Sequence, residues 1–319
     1  MNTRFLSLVG RGVALAFALV GTMAAVGQTP TPTPAAGVAT AAPAPIASVP
    51  ADPAIWVVKG PHATIYLFGT VHVMKPEVSW HTAKVKSAIE ASSTLIEEVD
   101  NIDQADQAQM QALMLKLGMD QEHPLSTKIT KEDLALLDAA AKKMGVPGEQ
   151  ALEPMRPWTA QVILSVVPIL QAGYDPKSGV DITLATEFRA AKKPVQGLET
   201  MEEQLHFFSD MPQAEEVEAL HLQLKNMDSS TKDLVEVVEA WKKGDADSIA
   251  AIENRSFEKE YPALYERLVV QRNKVWAERL GKLVQGEGTT FVAVGAAHLA
   301  GPDSVQKLLE AKGIKSSRL

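Results

Sequence analysis

The 319-residue sequence contains no cysteine. That absence excludes a disulfide framework, thiolate metal ligands, a thiol nucleophile and lipid attachment through an N-terminal cysteine. Basic charge is also scarce: 31 Lys and Arg against 39 Asp and Glu leave a net charge of −8. Phosphate binding needs a basic face, so nucleic acid is excluded as a partner. Beyond the first 27 residues there is no long uncharged apolar run, so no stable membrane insertion is expected.

The N-terminus is organised differently from the rest. Arg4 and Arg11 give a positive start, residues 13–20 are apolar, and residues 21–27 supply small residues that end in Ala25-Val26-Gly27 before Gln28. The apolar run is short for a bilayer span of about 20 residues, which identifies residues 1–27 as a cleavable signal peptide. Export is therefore expected, to the periplasm or, as the alternative, the exterior; the lack of a lipid-attachment cysteine favours the periplasm. Residues 28–53 are almost entirely Pro, Thr, Ala, Gly and Val. Such a stretch buries too little to offset its ordering entropy and favours extended polyproline II, so it reads as a disordered tether. Residues 54–319 remain as one domain. At roughly 265 residues, ~70–75% of the unfolded chain's surface can be buried without disulfides.

Within that domain the hydrophobic pattern alternates between strand and helix periods. Residues 55–58 and 64–68 are β-rich runs around Lys59-Gly60-Pro61-His62, a hairpin signal. A helix is expected from Ser79 as N-cap, then a strand over 94–99. Met110, Leu113, Met114 and Leu117 mark an amphipathic helix stopped by Gly118. Thr130 to Asp133 resembles a capping box for a helix ending at Gly145. Helices follow over 158–171 (with Pro168 as a kink), 181–192, 217–227, 234–241 and 263–284. A strand is expected at 194–200, and the chain closes with strand 289–294 and a helix to Gly313. Strands at both ends with helices between give a single α/β domain (α+β being the alternative), its mixed sheet completed by the C-terminal strand around a large helical middle.

One short phrase occurs twice. Residues 65–72 (IYLFGTVH) and 290–298 (TFVAVGAAH) each run from a β segment into G-x-x-H. The glycine is expected to let the chain turn as the strand ends, leaving His72 and His298 beyond a carboxyl end, the rim where open α/β sheets bind ligands. Acidic residues fall at similar places. Glu97, Glu98 and Asp100 lie in or after the strand at 94–99, where Glu97 and Glu98 must face opposite sides. Glu199 closes the strand at 194–200. On the long helix, Leu264, Leu268, Arg272, Trp276 and Leu280 recur every fourth residue, so Arg272 interrupts an apolar stripe and requires a buried carboxylate partner. Glu98 and Glu199 are the expected partners, with Glu97 as a further candidate. A structural ion pair and a substrate clamp are both open to it. His62, His81, His123, His206 and His221 read as ordinary polar residues.

At these residues the chain resembles the TraB/GumN family, also described as TraB/PrgY/GumN, to which the Tiki proteins are related. The phrases that carry the resemblance are FGTVHV (68–73), EVD (98–100), AGYD (172–175), GVD (179–181) and KPVQGLET (193–200). YPALY (261–265), QRNK (271–274) and VGAAHLAG (294–301) follow in order. The resemblance implies a metal-dependent peptidase in which His72 and His298 ligate a divalent metal as neutral imidazoles. Glu98 would be a third ligand or the general base. Such a metal makes hydroxide available near neutral pH. Zinc, manganese and cobalt all suit an N/O ligand set. Arg272 would hold an oxyanion or a substrate carboxylate, with Asn273 as a second substrate contact and Glu199 as a further catalytic carboxylate. Two other readings are open on the same residues. One is a metal-free esterase or amidase with a histidine base whose tautomer is fixed by the glutamate. The other is a non-enzymatic envelope protein that holds a peptide or a haem-like ligand.

Overall fold

The computed structural model describes residues 48–100, 107–145, 149–254 and 262–319. The expected signal peptide lies outside the described residues, as does the tether up to residue 47. The last stretch assigned to the tether is instead packed onto the domain. Strand β1 (Val49–Pro50) pairs in parallel with a second short strand, the Ala51 N–H donates to the Ser79 carbonyl at 2.8 Å, and Ala51 joins the core. Proline suits such an edge because its missing N–H costs no ladder bond there.

β2 (Ile55–Lys59) and β3 (His62–Thr70) form the expected antiparallel hairpin, Ile55 opposite Phe68. β4 (Val78–Ser79) is the partner of β1. Ser79 is therefore in a strand, and α1 (Ala83–Ala91) is capped by Thr82, whose hydroxyl accepts from the Val85 N–H. β5 (Thr94–Val99) follows as expected. The helical middle then runs through α2 (Gln107–Gly118), α3 (Lys131–Lys143), α4 (Pro157–Gln171) and α5 (Val180–Ala190). At the start of α3, Thr130 caps the helix by accepting from the Asp133 N–H, but its hydroxyl rather than its backbone N–H donates to the Asp133 carboxylate, so the expected capping box is only half made. After β6 (Val195–Glu199) come α6 (Met201–Ser209), α7 (Gln213–Lys225) and α8 (Met227–Lys242). The long helical stretch is α-helical over Pro262–Tyr265, π-helical over Glu266–Gln271 and then α9 (Arg272–Leu283). β7 (Glu287–Gly295), α10 (Val305–Ala311) and β8 (Ser316–Arg318) end the chain.

Six strands form one mixed sheet in the order β6-β5-β7-β3-β2-β8. β6, β5, β7 and β3 are mutually parallel, while β2 and β8 run antiparallel. The C-terminal strand β7 fills the gap between β5 and β3, and β8 adds an edge. Helices cover both faces, which explains why β3 and β7 read as nearly continuous apolar runs. Phe68, Leu95, Phe291 and Ala293 face the large helical layer. Ile65, Leu67, Ile96, Val292 and Val294 face α9 and α10, packing with Trp276, Leu280 and Leu309. A third apolar cluster joins α3, α4 and α7 away from the sheet. No helix among the described residues is long and apolar enough to cross a membrane.

Candidate functional site

Four parallel strands in one sheet must present their carboxyl ends at the same rim. β3 ends at Thr70 and His72 stands two residues beyond it. β5 carries Glu98 next to its last residue, β6 ends on Glu199, and β7 leads into a 3₁₀ turn, Ala296–Leu299, that carries His298. Arg272 enters from the first position of α9, directly after the π-helical turn. Sequence-distant polar residues thus meet in a buried cluster: His72, Glu98, Arg272 and His298 are all below one-tenth exposed.

Arg272 is the hub. Its Nε donates to Glu199 Oε1 at 2.8 Å, and its Nη2 donates to Glu199 Oε2 at 2.9 Å and Glu98 Oε2 at 2.8 Å. Nη1 donates to the Leu268 carbonyl at 3.2 Å and faces His298 Nε2 at 3.1 Å. A guanidinium has five N–H donors, and these five contacts employ all of them. The ring of Trp276 lies 4.6 Å from the guanidinium carbon, and its indole N–H donates to Glu199 at 3.0 Å. The every-fourth-residue stripe therefore places Arg272 inward as expected, and it pairs with both candidate carboxylates. In this arrangement its donors, like both oxygens of Glu199, are engaged within the cluster.

Glu98, not Glu97, faces the cluster. Glu97 lies on the opposite face of β5, as strand alternation demands. Glu98 Oε1 accepts from the Gly295 N–H at 2.6 Å and lies 3.7 Å from His298 Nε2. Burial by itself raises the Glu98 pKa, but the charge of Arg272, helped by His72 and the Gly295 N–H, outweighs burial and holds the carboxyl well below the usual range.

Each histidine is held by its far nitrogen. Because Arg272 Nη1 can only donate, His298 Nε2 is the unprotonated nitrogen, and Nδ1–H donates to Asn273 Oδ1 at 2.7 Å. The Asn273 amide nitrogen in turn donates to the Asp303 carbonyl at 2.8 Å. Asn273 is fully buried, with its amide engaged by His298 and the Asp303 carbonyl. His72 Nδ1 meets Asp181 Oδ2 at 3.0 Å. Burial opposes charge on His72, yet Asp181, by charge and hydrogen bond, and then Glu98 prevail over it and raise the pKa from 6.5 to about 9. Asp181 carries this role without having been marked for it. In sequence it looks like an acid in the first turn of α5, where a helix dipole is reason enough for one.

The two G-x-x-H glycines serve a different purpose from the one expected. Neither has a positive φ, and Gly69 is still within β3. Close approach is what requires them. A Cβ on Gly69 would stand 3.0 Å from the Ala296 Cα, and one on Gly295 would stand 3.0 Å from Glu98 Oε1. The same point over Gly295 is 3.6 Å from His72 Nε2 and 3.6 Å from the His298 ring. Both histidines and the glutamate thus border one small space that only glycine leaves open.

That space, its N/O donors and the carboxylate or amide behind each histidine suit a divalent cation chemically. As the side chains stand, however, no group of three His, Asp or Glu among the described residues is spaced to hold a metal. Arg272 supplies the positive charge that faces Glu98 and His298 Nε2. A cleft of about 620 Å³ adjoins the cluster, lined by Glu199 and Arg272 but not by Glu98 or either histidine.

The sequence profile described as the TraB/PrgY/gumN family matches residues 54–318. A protein of Treponema pallidum (strain Nichols), described as uncharacterized, is 24% identical over 265 residues, covering 78% of each chain. The protein YbaP of Escherichia coli (strain K12), likewise described as uncharacterized, is 22% identical over 259 residues, or 81% of this chain and 92% of YbaP. YbaP of Shigella flexneri is 25% identical over 186 residues, 58% of this chain and 67% of its own. No solved structure matches. The match over residues 54–318 shows that the chain belongs to the TraB/PrgY/gumN family.

Proposed function

We propose that this TraB/PrgY/gumN family member is an exported, metal-dependent hydrolase acting on peptide bonds in the cell envelope. His72 and His298 are its imidazole ligands, and Glu98 is the third ligand or the general base. The observation that carries the reading is the space over Gly295, bordered by Glu98 Oε1, His72 Nε2 and the His298 ring. Behind it, Asp181 and Asn273 hold the far nitrogens, which is how imidazoles are oriented toward a cation. A divalent cation there supplies Lewis-acid activation of water near neutral pH; zinc, manganese and cobalt all suit the donors. Arg272 keeps Glu98 ionised and fixes Glu199. The two arginines Arg4 and Arg11, followed by apolar residues 13–20, support export, with the periplasm as the destination.

A second reading has its own observation. Arg272 already engages His298 Nε2 and Glu98 Oε2, which suits a metal-free hydrolase. His298 would then be the general base once Arg272 Nη1 releases its Nε2 lone pair, with its tautomer fixed by Asn273 in place of a glutamate.

Metal analysis of protein purified without chelators, alongside cleavage of a peptide library, separates the two. The first reading expects about one metal per chain, lost in both His72→Ala and His298→Ala, and cleavage that chelation abolishes and the metal restores. Cleavage by metal-free protein, insensitive to chelators, transfers the function to the second. No cleavage under either condition sinks both, leaving a ligand-binding cluster.

A further inference from the structure

The cleft beside Arg272 is a groove between two helical faces. α6 and its C-cap contribute Glu203, His206, Phe207 and Asp210, at i, i+3, i+4 and i+7. The opposite wall is Arg267, Gln271 and Val275, from the π-helical turn and the start of α9. At about 620 Å³ it has the size of a small-ligand site. The useful question is which of its polar groups are already occupied. Glu203 is tied to Thr200 by both its side-chain oxygen and its backbone N–H. Asp210 accepts from His206 at 2.9 Å and from Ser209 at 3.3 Å. Glu199 and Arg272 satisfy each other. Arg267 differs. Its one hydrogen bond is a long contact, 3.5 Å, from Nη1 to the Phe207 carbonyl. The rest of its planar fork is uncommitted. Val275, 65% exposed, is among the few large apolar side chains left open to solvent among the described residues.

We propose that this groove binds the C-terminal end of a peptide, with the terminal carboxylate on Arg267 and an apolar terminal side chain against Phe207 and Val275. A carboxylate is the anion whose two oxygens match a guanidinium fork. Glu203 and Asp210 bond through one oxygen each, and Asp210 feels the charge of Arg267, yet most of the Arg267 fork carries no hydrogen bond, and Gln271 offers its amide to the peptide group that follows. This names the substrate class of the proposed hydrolase and rests on that reading for its relevance to cleavage. Binding itself does not depend on a metal.

The test is a calorimetric titration of the full mature chain with two hexapeptides of one sequence ending in leucine, one a free acid and the other a C-terminal amide. It is run with and without chelator. A charge-assisted bidentate contact is worth about tenfold or more in affinity, so the acid should bind at least that much tighter than the amide. Arg267→Gln should bring the acid down to the level of the amide while leaving the amide and the melting temperature unchanged. Equal binding of acid and amide, or an acid preference that survives Arg267→Gln, overturns the proposal. So does inorganic phosphate at millimolar concentration displacing the acid as fully as excess peptide does, because the groove would then be a general anion site. Acid preference in a protein that holds no metal and cleaves nothing leaves the groove standing and removes the hydrolase. Metal-dependent cleavage without acid preference does the reverse.

Discussion

Arg272 joins residues that lie 26, 73 and 174 positions away in the chain, and one side chain therefore carries much of the cluster's integrity. Truncating it strands two buried carboxylates. Arg272→Ala should lower the unfolding free energy by about 3–5 kcal/mol. Arg272→Lys should recover only part of this, since a single ammonium cannot address Glu98, Glu199 and His298 together. Urea unfolding of the three proteins checks the order, and an Arg272→Lys variant as stable as the parent would contradict the hub role. His72 gives a pH signature. Its folded-state pKa is raised to about 9, so its pairing with Asp181 contributes fully below the unfolded value of roughly 6.5 and is lost as pH rises through about 9. In metal-free protein, the stability gap between the parent and Asp181→Asn should be wide near pH 6 and shrink above pH 9. A gap independent of pH would refute the charged pair. The inward direction of Arg272 was legible from the leucine and tryptophan spacing, and its acidic partners from the glutamates at the carboxyl ends of strands. Asp181 and Asn273 were not legible as orienters, because nothing local in the sequence ties either to a histidine until the sheet brings them together.

At the scale of elements, the long periodic segments were readable and the short ones were not. The hairpin of β2 and β3, the strands β5, β6 and β7, and the cap on α3 all follow from alternation, turn residues or capping chemistry. β1, β4 and β8 have two or three residues each, too few for any period to register. The start of α6 was there to be seen, since Thr200 and Glu203 form a full capping box. The reading of 194–200 as a strand stopped short of it. The π-helical turn before Arg272 leaves no mark in composition, yet it immediately precedes the residue on which the site turns, a placement often found at functional positions.

For the whole molecule, the domain begins earlier than composition suggested. The Asp52 N–H donates to the Lys242 carbonyl at 2.8 Å, and Ala51 is in the core. A chain starting at Ser48 should therefore melt with the full mature protein, whereas one starting at Ala54 should lose about 1–3 kcal/mol. Thermal melts that coincide for the two would return these residues to the tether. The strand order carries a further consequence, for timing. Without β7 the sheet is two unconnected pieces, β2 with β3 and β5 with β6, and each has an apolar edge facing an empty slot. Polypeptides emerge from the ribosome N-terminus first, so nearly three hundred residues must be made before that slot is filled. His298 and the Gly295 N–H arrive with the filling strand, and Glu98 and His72 have nothing to converge on until then. An unfinished or C-terminally clipped chain thus leaves the cluster unassembled and two strand edges unpaired.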